Sequence, residues 1–384
     1  MSQHAQLPLF GNSDPAPFLP ENEISLLALA QIKGVGFTTV KTIFDTYHGN
    51  LSQVWGANSE DLRILLQHAR TPEQSQVISQ IQTRSKMLLA TAREQIQFLK
   101  MRRKTSIIFR GTDVYPESLY HLPDPPAWLF VEGNTDILYD PAIVAVIGTR
   151  DPTEHGIQAA KRISLFLVGS DCIILSGLAE GVDAVGHQTA VDYGVPTIAV
   201  LGHGVGVVFP ASTSGLRRQI VELGGAIVSE YLPRDTYSSE RFVQRNRIQA
   251  ALSGMVCVVE GRLKGGTAHT VRFARQLNRE VFGTRIGPPE RIPQQELLEE
   301  LTSKGAPVFD LEQPRDREAL QTYLDQHLHL QARKHPQRTP RIFRGVLNEI
   351  KRLARDYDVT QDDFDWLISQ IHQSTMQEAN DDAH

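Results

Sequence analysis

Cysteine is almost absent from this chain of 384 residues: two occur, Cys172 and Cys257, each inside an apolar run. That excludes a disulfide scaffold and a cysteine-rich zinc site. No run of 18 or more apolar residues occurs, and the first residues lack the charged-then-apolar pattern of a signal segment. The expectation is a cytoplasmic protein with no membrane partner. An excess of positive charge is missing too, since 39 Lys and Arg face 44 Asp and Glu, a formal net charge of −5. Taken as an average, that sign argues against a protein that coats polyanions. His4, His48, His121, His155, His203 and His269 share no ligand spacing, and His327 and His329 alternate, so no metal is expected.

The average charge hides a segregation. Residues 241–279 carry eight Lys or Arg against one acid, and residues 331–355 repeat that ratio. Residues 356–384 carry eight acids and neither Lys nor Arg. The distribution therefore points toward nucleic acid, which the net charge alone disfavours.

With 41% hydrophobic and 22% charged residues the composition is ordinary for a globular chain, and the length suggests two to three domains. Residues 1–20 are polar with four prolines and read as a flexible tail. Residues 21–98 repeat apolar positions at helical spacing (Leu26, Leu27, Leu29, Ala30; Val40, Ile43, Phe44; Leu62, Leu65, Leu66). A second domain is expected over 101–312 and a mostly helical C-terminal region over 313–384. In the middle, short unalternating apolar runs recur at Ile143–Ile147, Cys172–Leu175, Thr197–Leu201, Ala226–Val228, Met255–Val259 and Glu280–Phe282. Helix-length stretches separate them, among them Glu154–Leu167, Val185–Tyr193 and Gln244–Leu252. This predicts an α/β fold of extended Rossmann type, doubly wound, with a mainly parallel sheet buried on both faces.

In such a sheet, ligands bind beyond the carboxyl ends of the strands. Four of these ends lead into glycine-rich loops: Gly148-Thr149-Arg150, Ser176-Gly177 through Gly181, Gly202-His203-Gly204, and Glu260 through Thr267. Glycines and helix N-termini there suit phosphate oxygens, and four loops on one edge make a rim. None carries G-x-G-x-x-G, no acid ends the second strand, and no Walker A sequence occurs, so a dinucleotide enzyme and a P-loop ATPase are disfavoured. Arg245-Asn246-Arg247, read as the start of an amphipathic helix, would offer guanidinium forks to phosphate at its N-terminal end. Asp183 and His187 stand one helical turn apart and read as an N-cap and a buried hydrogen-bonding histidine. Ser176 has no triad partner or nucleophile elbow.

Residues 107–283 resemble the DNA-processing protein A (DprA, also called Smf) family. The text that carries the resemblance is FRGTDVYPESL, PPAWLFVEGN, AVIGTR, SGLAEGVDAVGH, TIAVLGHGV, FVQRNRIQAALS and VVEGRLKGGTAHTVRFARQLNREVFG, in that order. The resemblance implies a Rossmann domain that binds single-stranded DNA, without enzymatic activity or cofactor, in DNA recombination and transformation. It implies RecA and a second copy of the chain as partners. The DNA-binding set it suggests is Gly148, Thr149, Arg150, Ser176, Gly177, Arg245, Asn246, Arg247, Lys264, Gly265, Gly266 and Thr267. Departures are Glu180 where the family carries Arg, and Val243 and Gln244 where it carries Pro and a basic residue; Arg262, Lys264, Arg272, Arg275 and Arg279 are candidate replacements. The C-terminal region lacks the winged-helix pattern common in the family.

Two smaller motifs extend the reading. Ile32-Lys33-Gly34-Val35-Gly36 resembles a helix-hairpin-helix (or SAM-like) turn, making Lys33, Gly34 and Gly36 a second candidate DNA contact. Gln6, Leu7, Leu9 and Phe10 look like a sliding-clamp-binding peptide. Other roles compatible with the family are phage defence and a toxin–antitoxin pair with a toxin partner. A rival reading is a nucleotide sensor or a LOG-type nucleotide hydrolase, which Lys264-Gly265-Gly266-Thr267 brings to mind. That hydrolysis needs a carboxylate shortly afterwards, whereas Ala268, His269, Thr270 and Val271 follow and no acid precedes Glu280.

Overall fold

The structure is a computed structural model that describes residues 20–328. The clamp-like Gln6, Leu7, Leu9 and Phe10, the expected tail apart from Pro20, and the charged segments after residue 330 lie outside the described residues.

The chain divides into two compact units, the first formed by residues up to Glu117 together with Asp124–Leu129. It holds α1 (Pro20–Leu29), α2 (Phe37–Thr46), α3 (Ser59–His68), α4 (Gln74–Arg103) and β1 (Thr105–Phe109). In α4, Val77, Ile81, Leu88, Ala92, Ile96 and Leu99 are buried, spaced by three, four or seven residues, which lays one stripe of a 30-residue helix on its neighbours. Lys100 on α4 pairs with Glu23 on α1 at 2.6 Å. The expected domain boundary at 98–101 falls inside α4, which continues to Arg103.

The second unit carries the α/β domain. Its strands are β2 (Trp128–Gly133, whose first two residues belong to the first unit), β3 (Ile143–Ile147), β4 (Ile173–Ser176), β5 (Thr197–Val200), β6 (Ala226–Ser229), β7 (Met255–Val258), β8 (Glu280–Arg285) and β9 (Val308–Asp310). Between them run α5 (Glu154–Gly169), α6 (Val182–Asp192), α7 (Ser214–Glu222), α8 (Ser239–Leu252), α9 (Gly266–Gln276) and α10 (Glu296–Ser303), with α11 (Pro314–Leu328) after β9. The sheet order is β1-β2-β6-β5-β4-β3-β7-β8-β9. All pairings from β6 to β9 are parallel, and β2 lies antiparallel to β6. The doubly wound α/β expectation is met, with nine strands, mostly parallel.

Every residue of β3, β4, β5, β6 and β7 is buried, which explains their lack of alternation: helices cover both faces. One core cluster joins Val144, Val146 and Cys257 of the sheet to Ile163 and Leu167 of α5. Leu320, Leu324 and Leu328 of α11, assigned above to the C-terminal region, belong to this same cluster. The chain winds outward from β3 through β4, β5 and β6, then returns to place β7 on the other side of β3. The strand order therefore reverses between β3 and β7, and their carboxyl ends open on the topological switch point.

Candidate nucleic-acid interface

The four glycine-rich loops follow β3, β4, β5 and β7, which are adjacent in the order β5-β4-β3-β7, so they share one edge of the sheet. The switch point itself is closed by the protein. Past the strand ends the ladder continues, Val259 N donating to Ile147 O at 3.1 Å and Thr149 N to Glu260 O at 2.8 Å. The Glu260 carboxylate, 2% exposed, accepts from Thr153 N at 2.9 Å and Thr153 Oγ1 at 2.6 Å. Thr153 is the N-cap of α5. In a dinucleotide-binding domain the helix after the first strand offers its N-terminus to a pyrophosphate; here an internal carboxylate stands there.

Arg150 projects from the β3 loop as an exposed cation, its guanidinium carbon 4.8 Å from the centre of the Phe242 ring. Phe242 belongs to an aromatic cluster with Phe209 and Tyr237, in which Phe209 and Tyr237 stack at 3.6 Å. Tyr237, stacked on Phe209 and 6.2 Å from the Phe242 ring, is 49% exposed. Lys264, Arg262 and Leu263 are exposed on the loop leading to α9. Gly265 caps α9, and a side chain at Gly266 would meet open space. Thr267, in the first turn, is buried.

The Arg-Asn-Arg motif differs from the sequence expectation. Ser238 caps α8, its hydroxyl accepting from Arg241 N at 3.2 Å, so the helix starts at Ser239 and the motif lies beyond its first turn. These arginines therefore stand away from the positive end of the helix. Arg245 is buried and donates to Val200 O and, at 3.1 Å, to Asn246 Oδ1. Burial pushes its pKa down to about 10, with Arg150 pushing the same way and Asp183 opposing. Asn246 Nδ2 reaches Gly266 O at 3.1 Å, tying α8 to the start of α9. Arg247 is buried in a bidentate pair with Glu230 at 2.8 and 2.7 Å, so its charge is matched inside the protein.

The loop glycines are mostly occupied by the protein's own atoms. A Cβ on Gly177 would strike the Arg245 guanidinium, and one on Gly148 the Val182 side chain. Ser176 is buried with its hydroxyl donating to Val146 O at 2.7 Å. Asp183 lies in the first turn of α6 rather than at its N-cap, which is Gly181; its carboxylate accepts from Gly177 N at 3.1 Å. Burial raises its pKa, and the Arg245 charge opposes that rise. His187 is fully buried, its Nδ1 2.9 Å from Thr197 Oγ1.

Of the positions that depart from the family pattern, Glu180 is exposed and accepts from Ser212 at 2.6 Å, and Gln244 is exposed. Arg262 and Lys264 stand on the rim, but Arg275 pairs with Glu300 and Arg279 donates to Ala251 O at 3.2 Å, both toward the far end of α9. These two do not replace rim cations. Arg272 bonds His269 Nδ1 at 2.7 Å. In the first unit, Lys33 and Gly36 are exposed in the turn between α1 and α2; Gly34 has φ +90° and Gly36 caps α2. Among the described residues, no three His, Cys, Asp or Glu are grouped to hold a metal, and no helix is long and apolar enough to cross a membrane.

Sequence reasoning missed the roles of Phe209, Tyr237, Phe242, Glu230 and Glu260. A signal existed for Tyr237, an aromatic between Arg234 and Arg241 immediately before the Ser238 cap.

The sequence profile of the DNA recombination-mediator protein A family matches residues 106–313. Protein Smf of Synechocystis sp. is 33% identical over 267 residues, covering 68% of this chain and 64% of that protein. The chain spans less than two thirds of the length of the curated relatives it matches first. The X-ray structure of DNA processing protein A from Streptococcus pneumoniae shares the fold, with TM-score 0.59 and 24% identity over 78% of this chain and 98% of that one. A structure of DNA processing protein A from Helicobacter pylori, which describes a single-stranded DNA binding mode, aligns with TM-score 0.51 and 27% identity over 58% of this chain and 97% of that one. From the profile match over more than half its length and the Synechocystis relative, this chain belongs to the DNA recombination-mediator protein A family.

Proposed function

We propose that this chain binds single-stranded DNA along the rim formed by the loops after β3 and β7, by positioning the strand and without covalent chemistry. The observation that carries the reading is Arg150 held 4.8 Å from the Phe242 ring beside the exposed Tyr237. A cation for the backbone near an exposed aromatic ring for an unstacked base is what single strands require and duplexes do not use. Arg262, Lys264 and the open start of α9 extend the positive track. Arg245, Asn246, Gly148 and Gly177 shape the floor beneath it, and Arg247 acts as a structural ion pair. The single-strand binding of the Helicobacter pylori relative supports the same ligand class. Self-association, delivery of strands to RecA and a role in transformation belong to this reading through the family resemblance.

Glu260, the carboxylate of the β7 loop, is committed to Thr153, which supports a binding role over hydrolysis at this rim. The test is a fluorescence-polarisation titration with a labelled single strand, the same sequence as duplex, and free nucleotides as competitors, at two salt concentrations. A salt-sensitive preference for the single strand is expected. Equal affinity for duplex, or binding of nucleotides alone, would overturn the proposal.

A further inference from the structure

Glu260 holds both ends of the loop that carries Arg150. Its backbone oxygen accepts from Thr149 N at 2.8 Å, immediately before Arg150. Its carboxylate accepts from Thr153 N at 2.9 Å and Thr153 Oγ1 at 2.6 Å, three residues after it. Within the loop, Thr149 Oγ1 accepts from Asp151 N at 3.2 Å, and Thr149 O accepts from Val182 N at 3.2 Å. Gly156 completes the arrangement, because a Cβ there would overlap the Glu260 carboxylate. Arg150 is thus an exposed side chain on a loop whose flanks are pinned to one buried residue of the loop after β7.

We propose that Glu260 is the positioning residue for Arg150 in single-strand binding, an inference that rests on the function proposed above. Charge and geometry give the reason. The start of α5 is a partly positive helix end, and Thr153 supplies two donors, so a carboxylate satisfies both donors and the helix end together. An amide at this position accepts from Thr153 N and turns its NH₂ to the Thr153 hydroxyl, which must swing its own hydrogen away; the charge-assisted hold weakens at one end of the loop, and Arg150 samples orientations away from Phe242. Part of the ordering of that side chain must then be paid on binding. The same carboxylate stands where a dinucleotide would place its pyrophosphate, so one residue both orients the rim cation and denies the crevice to that ligand.

A mutant cycle in the full chain tests this with single-strand titrations across salt and thermal unfolding as the fold check. Glu260→Gln is expected to weaken binding several-fold and to lower the salt slope by up to ~0.7, the contribution of one phosphate contact on a single strand. Glu260→Gln added to Arg150→Ala should weaken binding no further, whereas added to Lys264→Ala it should act additively. Thr153→Val, which removes the hydroxyl donor and the α5 cap but keeps the backbone N–H bond to the Glu260 carboxylate, should show the same coupling and replaces Glu260→Gln in the cycle if that variant unfolds. Unchanged binding in the folded variants, or full additivity with Arg150→Ala, overturns this role while leaving the rim reading intact. An Arg150→Ala variant that binds like the parent overturns the rim reading, and this role with it.

Discussion

The guanidinium of Arg247 donates to both carboxylate oxygens of Glu230, at 2.8 and 2.7 Å, with the two side chains 7% and 2% exposed. A pair this deeply buried is poorly placed to neutralise a DNA phosphate. Arg247→Ala leaves a carboxylate buried without its partner and should cost about 3–5 kcal/mol of stability. Urea unfolding measures the loss, and replacing Glu230 with Gln in the same chain should recover part of it. Where the variant remains folded, its salt slope for single strands should equal the parent's.

Gly148 has no room for a side chain. Gly148→Ala would press a methyl into Val182 at the start of α6, costing roughly 1–3 kcal/mol of overpacking and shifting the loop that carries Arg150. Val182→Ala in the same chain should restore much of the stability. A Gly148→Ala protein as stable as the parent would contradict this packing.

His187 predicts an acid response. Thr197 donates its hydroxyl to Ile174 O at 2.6 Å, so it accepts from His187 Nδ1, and the proton that would charge the ring must go to Nε2, which is buried without a partner. Burial, with the Arg245 charge acting in the same direction, pushes its pKa from 6.5 down to about 3. A lowered histidine pKa gives stability that is present above 6.5 and is lost as pH falls from there toward 3. The slope is about 1.4 kcal/mol per pH unit for one proton. Asp183, whose pKa is raised by burial, contributes with the opposite sign, so the comparison is made against His187→Asn, which retains the donor to Thr197. Unfolding free energies from neutral to mildly acidic pH should fall more steeply in the parent than in the variant; equal slopes would contradict the neutral, buried imidazole.

Tyr237 offers a stacking face. Tyr237→Ala should weaken single-strand binding by ~1–3 kcal/mol, the range for one stacked base, while Tyr237→Phe keeps most of the affinity. Equal losses in both variants would mean that the hydroxyl, rather than the ring, makes the contact.

How much of this was legible in the sequence follows from local and non-local physics. The strands β3 to β8 stand out because a sheet covered on both faces needs uninterrupted apolar residues, as in Ile143–Ile147 and Met255–Val258. The switch point was not legible, because it depends on the sheet order, which only the folded structure shows. The start of α8 was placed late, since Ser239-Glu240-Arg241 shows no apolar period and the cap rests on one serine. The partners of Arg245 and Arg247 were invisible because Val200 and Glu230 lie 45 and 17 residues away, and only the folded sheet brings them close. Composition marks a basic stretch over 241–279, but it cannot separate cations that face solvent, such as Lys264, from those matched internally, such as Arg247 and Arg275. Glu260 reads as a lone acid among cations, and its contacts with Thr153, 107 residues away, reveal its place.

The most direct test of the rim as a single-strand binding surface is the salt dependence of oligonucleotide affinity in the parent, Arg150→Ala and Lys264→Ala. The predicted result is weaker binding in each variant, with the slope of log K against log salt reduced by ~0.7 per lost phosphate contact. Parent-like affinities and slopes in both variants would contradict it.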